Sequence, residues 1–172
     1  MKWERPFELE NELWPLLATV KHPSRYIGQE WGAVDIREGR GKPAVRICLA
    51  FPDVYEVGMS FLGFQILYAL ANSIEGVLAE RAYCPWIDME KNLRAKSMNL
   101  ASLESGTALK DFDAVGFTLQ YELTATNILT MLDLGGIPLR SEDRGEEAPI
   151  IMGGGPGALS PEPLVPFFDI FC

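Results

Sequence analysis

Residues 44–51 read Ala44-Val45-Arg46-Ile47-Cys48-Leu49-Ala50-Phe51, and Pro52 follows at once. Apart from Arg46 the run is apolar with no polar alternation. That is the pattern of a strand buried on both faces, as in a parallel sheet. Proline lacks an amide donor and stops the strand. Working outward, 53–59 predicts a loop, and Ser60 has the chemistry of an N-cap for a helix over 61–75, with Gly76 as its stop. Phe64, Leu67, Leu70, Ala71 and Ile74 fall on one face of that helix. A second strand is expected over 77–83 and a helix over 88–96 capped by Asp88. A short extended piece follows at 100–103, then a third strand over 114–119. A third helix spans 123–134, with Thr124 near its start and Gly135, Gly136 and Pro138 closing it. Another short extended piece is expected at 137–140. A fourth strand over 149–152 leads into Gly153-Gly154-Gly155-Pro156-Gly157. Ser160-Pro161-Glu162 then has the form of a helix start, and 168–172 is a fifth strand.

Strands alternating with helices predict an α/β fold: a Rossmann/flavodoxin-like parallel sheet of about five strands with helices on both faces. Right-handed crossovers gather the loops after the strands along one edge. Upstream, Leu13, Trp14, Leu16, Leu17 and Val20 form an approximate helical stripe that ends at Pro23. Gly28, Gly32, Gly39 and Gly41 make 26–43 a loop or short hairpin. The division is therefore an N-terminal helical segment and loop at 1–43 and a Rossmann-like domain at 44–172.

The chain has 172 residues, 48% of them hydrophobic and 23% charged, which suits one domain with a substantial core. No apolar run approaches the ~20 residues of a membrane span. Lys2, Glu4, Arg5 and Glu8 break the first residues, so no signal peptide is expected and the protein reads as cytoplasmic. A net charge of −9 argues against a nucleic-acid surface. The acidic run from Glu142 to Glu147 reads as a solvated loop. The four tryptophans read as core or interdomain packing. The three cysteines, Cys48, Cys84 and Cys172, form neither a CxxC pair nor the three-cysteine cluster of an iron–sulfur site. Cys48 reads as a small core residue. The single histidine, His22, has no cluster around it. With no nucleophile–base pair and no metal-ligand group, no catalysis is expected of this chain alone. The chain stops inside an apolar strand, at Asp169-Ile170-Phe171-Cys172, which predicts a continuation in the natural protein.

Three stretches at the expected ligand edge are candidate site residues. Gly153, Gly154 and Gly155 let a ligand approach the backbone, or simply make a tight connection. The loop Asp53-Val54-Tyr55-Glu56-Val57-Gly58-Met59-Ser60 offers Asp53 and Glu56 to a cation or hydrogen-bonding ligand, or uses them for capping and solvation. Thr118, Gln120, Tyr121 and Glu122 close the third strand, where Thr118 and Gln120 share a side.

Several strings, taken together, resemble a family. They are Arg25-Tyr26-Ile27-Gly28-Gln29-Glu30, Ala50-Phe51-Pro52-Asp53-Val54-Tyr55-Glu56-Val57-Gly58-Met59-Ser60, Gly116-Phe117-Thr118-Leu119-Gln120-Tyr121-Glu122-Leu123, and Gly153-Gly154-Gly155-Pro156 with Pro161-Glu162-Pro163. In this order they resemble the N-terminal region of an uncharacterised bacterial family of radical S-adenosylmethionine (radical SAM) proteins with a B12-binding-like domain. The resemblance implies a cobalamin-binding-domain-like fold here. It also implies a downstream radical SAM barrel as the partner, holding a [4Fe–4S] cluster and S-adenosylmethionine.

Cobalamin-binding domains carry Asp-x-His-x-x-Gly after the first strand. Asp53 and Gly58 match, but Tyr55 stands where the cobalt-ligating His belongs. Thr118 replaces the Ser of their Ser-x-Leu, Gln120 replaces the Leu, and Gly153-Gly154 matches their Gly-Gly. The resemblance thus places a corrin near Tyr55, Glu56 and Met59, with its tail at Thr118 and Gly153 to Gly155. Three readings follow. One is a cobalamin-binding-like accessory domain of a radical SAM enzyme. Another is a degenerate domain that binds no cofactor, positions the barrel, and has its crevice plugged by Tyr55 and Tyr121. The last is a nucleotide- or flavin-binding module with a phosphate site at the Gly153 loop.

Overall fold

The computed structural model describes residues 13–34 and 43–172. Five parallel strands form one sheet: β1 (Val45–Phe51), β2 (Val77–Tyr83), β3 (Ala114–Thr118), β4 (Ile150–Gly154) and β5 (Ile170–Phe171). Their order is β2-β1-β3-β4-β5, which is the flavodoxin-like order. The expected α/β architecture is therefore present. Strand order reverses between β1 and β3, so the crevice of such a sheet opens at the ends of these two strands.

Helices α1 (Tyr55–Ser60), α2 (Leu62–Ser73), α3 (Ile87–Lys96) and α4 (Ala125–Leu134) pack around the sheet. Side chains alternate along each strand and divide the interior in two. On one face Cys48, Ala50, Val115, Phe117 and Ile151 pack with Met89 and Leu93 of α3 and Ile128, Met131 and Leu132 of α4. Leu16, Leu17 and Val20 join this core from a short helical turn over 13–17 and the residues after it. On the other face Phe51, Phe64, Tyr83 and Leu103 form a smaller, aromatic cluster.

The elements differ from the sequence reading in several places. Residues 53–59 are not a loop throughout, because α1 begins at Tyr55. Phe61, in an extended conformation, breaks α1 from α2 and occupies the N-cap position expected for Ser60, whose hydroxyl instead donates back to the Val57 carbonyl. Asp88 lies inside α3, after the N-cap Trp86, and its carboxylate accepts from the Lys21 and Met89 amides. Gly153 and Gly154 are the last residues of β4, paired with Phe117 and Thr118, and not part of a loop. No α-helix starts at Ser160: short 3-10 turns at Pro156–Leu159 and Val165–Phe167 carry the chain to β5.

The inward face of α2 is also rotated from the expected one. Phe64, Tyr68 and Asn72 are buried, whereas Leu67, Leu70 and Ile74 are 51%, 59% and 54% exposed.

Candidate functional site

The ends of the strands bring the candidate residues to one edge of the sheet but divide them into three groups. Asp53 stands alone at the crevice between β1 and β3. Its Oδ1 accepts from the Val54 amide at 2.7 Å, and its Oδ2 accepts from the Tyr121 hydroxyl at 2.9 Å. Tyr121 follows β3, so this bond spans the point where the strand order reverses. Beside it, Asn127 Nδ2 donates to the Pro52 carbonyl at 2.9 Å, a second tie across the same gap. The Asp53 carboxylate raises the Tyr121 phenol above its ordinary value, chiefly by accepting that hydrogen bond.

Tyr55, Glu56, Gly58 and Met59 belong to α1 and face away from this crevice, toward the β2 edge. The Tyr55 hydroxyl donates to Glu30 at 2.9 Å, and its ring meets Tyr83 edge-on at 5.4 Å. Burial, then the bond to Glu30, pushes the Tyr55 phenol up to about 12. Glu56 accepts from Arg25 Nε at 2.8 Å. Slight desolvation would raise its carboxyl, and Arg25 more than offsets this, leaving it lowered. A Cβ on Gly58 would enter the Tyr83 ring and lie 3.0 Å from Phe51 Cγ, so helix packing requires the glycine there. Met59 Sδ accepts from the Tyr83 hydroxyl at 3.0 Å and from Arg81 Nη1 at 3.2 Å.

Thr118 and Gly153 to Gly155 form the third group. Thr118 is buried and pairs with Gly154. A Cβ on Gly153 would lie 2.9 Å from Leu119 Cδ1 and 3.0 Å from Phe168 Cε1. Gly155 has φ +108, and a Cβ there would lie 3.0 Å from the Leu119 carbonyl oxygen. Gly153 and Gly155 therefore admit the protein's own chain, whereas a Cβ on Gly154 would meet nothing nearer than 3.8 Å. Of the donors in this segment, Gly157 N–H bonds the Leu119 carbonyl at 2.9 Å and Ala158 N–H bonds the Gly155 carbonyl at 3.0 Å. Pro156 has none. A cavity of about 260 Å³ remains between the β3 exit and the 156–164 segment, bordered by Gln120, Tyr121, Glu122, Ile128 and Ser160.

The sequence reading missed the most polar part of the interior. Arg81 on β2 is 1% exposed. It donates from Nε to Glu104 at 2.7 Å and from Nη2 to Glu30 at 2.8 Å, and its guanidinium lies 4.5 Å over the Tyr68 ring. Burial pushes the Glu104 carboxyl up, and Arg81 pulls the other way. Next to Arg81, on the opposite face, fully buried Glu80 accepts from Arg46, Ser102 and Ser105. The visible signal was an adjacent pair of opposite charges, Glu80 and Arg81, inside an otherwise apolar expected strand.

These contacts also explain two of the motif strings. Arg25 and Glu30 reach Glu56 and Tyr55, and a Cβ on Gly28 would lie 2.6 Å from the Leu103 carbonyl oxygen. The 25–30 string is thus bonded directly onto the 50–60 string.

Among the described residues no group of three or more His, Cys, Asp or Glu is placed to hold a metal ion. None of their helices is long and apolar enough to cross a membrane. Cys48, Cys84 and Cys172 are all free thiols. Burial pushes the Cys84 thiol up to about 12.

The fold and edge geometry define a doubly wound parallel α/β domain whose crevice is bridged by its own side chains. A family model described as radical SAM proteins, N-terminal, matches residues 63–172, well over half of the chain. The chain belongs to this family of radical SAM N-terminal regions. No curated protein matches it.

Proposed function

We propose that this chain is a non-catalytic accessory domain of a radical SAM protein, one that positions the catalytic part by surface contact and works with its crevice closed. The observation that carries the reading is the Tyr121–Asp53 hydrogen bond, which ties the β3 exit to the β1 exit at the ligand edge. The residues fit cobalamin poorly. Tyr55, in the position of the cobalt ligand, is turned to Glu30 and Tyr83. Leu119 and Phe168 occupy the space that Gly153 would offer to a tail. The cavity of about 260 Å³ beside the β3 exit is smaller than the roughly 300–1,000 Å³ of drug-sized sites, and a corrin is larger still. A phosphate loop is disfavoured too, because the Gly157 and Ala158 amides are already bonded to backbone carbonyls. In this reading a [4Fe–4S] cluster and S-adenosylmethionine belong to the catalytic part.

Equilibrium dialysis against cobalamin tests it, on the wild type and on Tyr121→Ala. The expected result is no saturable uptake by either. Saturable one-to-one binding, weakened by a bulky substitution at Gly154, would overturn the closed-crevice reading and restore a B12 module without a His ligand.

A further inference from the structure

Helix α2 carries two apolar sides. Between Leu62 and Ile74 the sequence holds no Asp, Glu, Lys or Arg. One side, Phe64 and Tyr68, is buried on the sheet. The other carries Leu62, Ile66, Leu67 and Leu70, continued by Ile74 at the C-cap, and each of these is between 51% and 71% exposed. Spacings of four along 62, 66, 70 and 74 align the stripe with the helix axis. Helix α3, in contrast, presents Asp88, Glu90, Lys91, Arg94 and Lys96. Next to the Phe64 cluster, Leu49, Gly116 and Met152 leave the same sheet face half-buried.

From these exposures the stripe amounts to roughly 500 Å² of apolar surface, within the range of a monomer's largest apolar patch, which is often functional. A stable complex between separate molecules needs about 800 Å² from each partner, which the stripe does not supply. An interface between domains of one chain needs only about 600–1,500 Å² in total, because the linker holds the partner at high effective concentration. Twice the stripe falls within that range.

We propose that the uncharged stripe of α2, and not the ligand edge of the sheet, seats the radical SAM catalytic domain of the same protein. The proposal rests on the accessory-domain reading above and names the surface that performs it. The matching surface is apolar and uncharged, since a charge facing Ile66 or Leu70 would be buried without a partner.

Site-specific photocrosslinking in the full-length protein tests this, with benzoylphenylalanine replacing Leu70 in one sample and Ser160, at the sheet's ligand edge, in another. Position 70 is expected to crosslink to peptides of the catalytic domain within the same molecule, and position 160 is not. Adding Ile66→Lys should lower the position-70 yield about tenfold or more, because an unpaired ammonium in an apolar contact costs over 1.4 kcal/mol. Ile66 is 56% exposed, so that variant keeps its fold, which the melting temperature checks. Crosslinks from position 70 only to a second copy, or to nothing, overturn the proposed surface. If position 160 reaches the catalytic domain instead, the accessory reading stands and the surface is wrong. If small-angle scattering shows the two domains of the intact chain sampling independent orientations, the accessory reading itself fails.

Discussion

The side-chain amide of Asn72 makes to Ala79 the two hydrogen bonds that a neighbouring strand would make: the Ala79 N–H donates to Oδ1 at 3.1 Å, and Nδ2 donates to the Ala79 carbonyl at 3.0 Å. Two residues further along β2, the Arg81 N–H donates to Glu104 and the Arg81 carbonyl accepts from the Leu103 amide. β2 is an edge strand, and an unpaired edge is a template for association. A helix side chain below and a loop above occupy these outward backbone groups.

Asn72→Leu keeps the volume and removes both bonds. It should lower stability by roughly 2 kcal/mol or more, since two buried backbone groups lose their partners. Urea unfolding measures the loss, and light scattering near the midpoint should rise as the edge opens. A midpoint equal to the wild type would show that water replaces the amide freely.

Arg81 joins three segments that the sequence keeps far apart: Glu30, Met59 and Glu104 all lie on its guanidinium. Arg81→Leu removes the counter-charge of two carboxylates, of which Glu104 is 2% exposed. The expected cost is about 3–5 kcal/mol. Glu104→Gln keeps an acceptor and should cost less, about 1–3 kcal/mol. Chemical denaturation of both variants checks the order, and an Arg81→Leu loss no larger than that of Glu104→Gln would contradict it.

What the sequence disclosed followed from pattern length. β1 and β3 carry almost no polar alternation because one sheet face is buried and the other half-buried among apolar side chains, so their identity and the parallel sheet were legible. The orientation of α2 was not. With apolar residues on two sides, periodicity marks a helix without saying which side turns inward, and Tyr68 and Asn72 settle that through bonds to Val34 and Ala79. Gly153 and Gly154 read as a loop because glycine is rare inside strands, yet Leu119 and Phe168 lie where a side chain on Gly153 would go. At the ligand edge, Asp53, Thr118 and the glycines were legible as strand-end residues. The Tyr121–Asp53 tie was not, since its partners lie 68 residues apart.

The Tyr55 phenol ionises only near 12, above its free value of 10.0, because burial and the bond to Glu30 favour the neutral form. A raised value means that the stabilisation is fully present below pH 10 and is lost as pH climbs through about 12. Tyr55→Phe should therefore cost about 1 kcal/mol at pH 8, and the gap to wild type should close between pH 10 and 12. Stability measured across that range for both proteins checks the sign. A gap that widens with pH would place the phenol's ionisation on the stabilising side.

Gly58 lies inside α1, where alanine would ordinarily gain about 1 kcal/mol over glycine. Here the added methyl would enter the Tyr83 ring, which is itself fixed between Tyr55 and Phe64 at 5.4 and 5.7 Å. Overpacking of this kind costs roughly 1–3 kcal/mol, so Gly58→Ala should destabilise despite its better helix propensity. The cause can be separated from any general intolerance of α1 to change. In a Tyr83→Leu background the ring is gone, and the same Gly58→Ala substitution should become neutral or stabilising. A double-mutant cycle by thermal or urea unfolding reads this as strong coupling between positions 58 and 83. If the two losses simply add, Tyr83 does not explain the glycine.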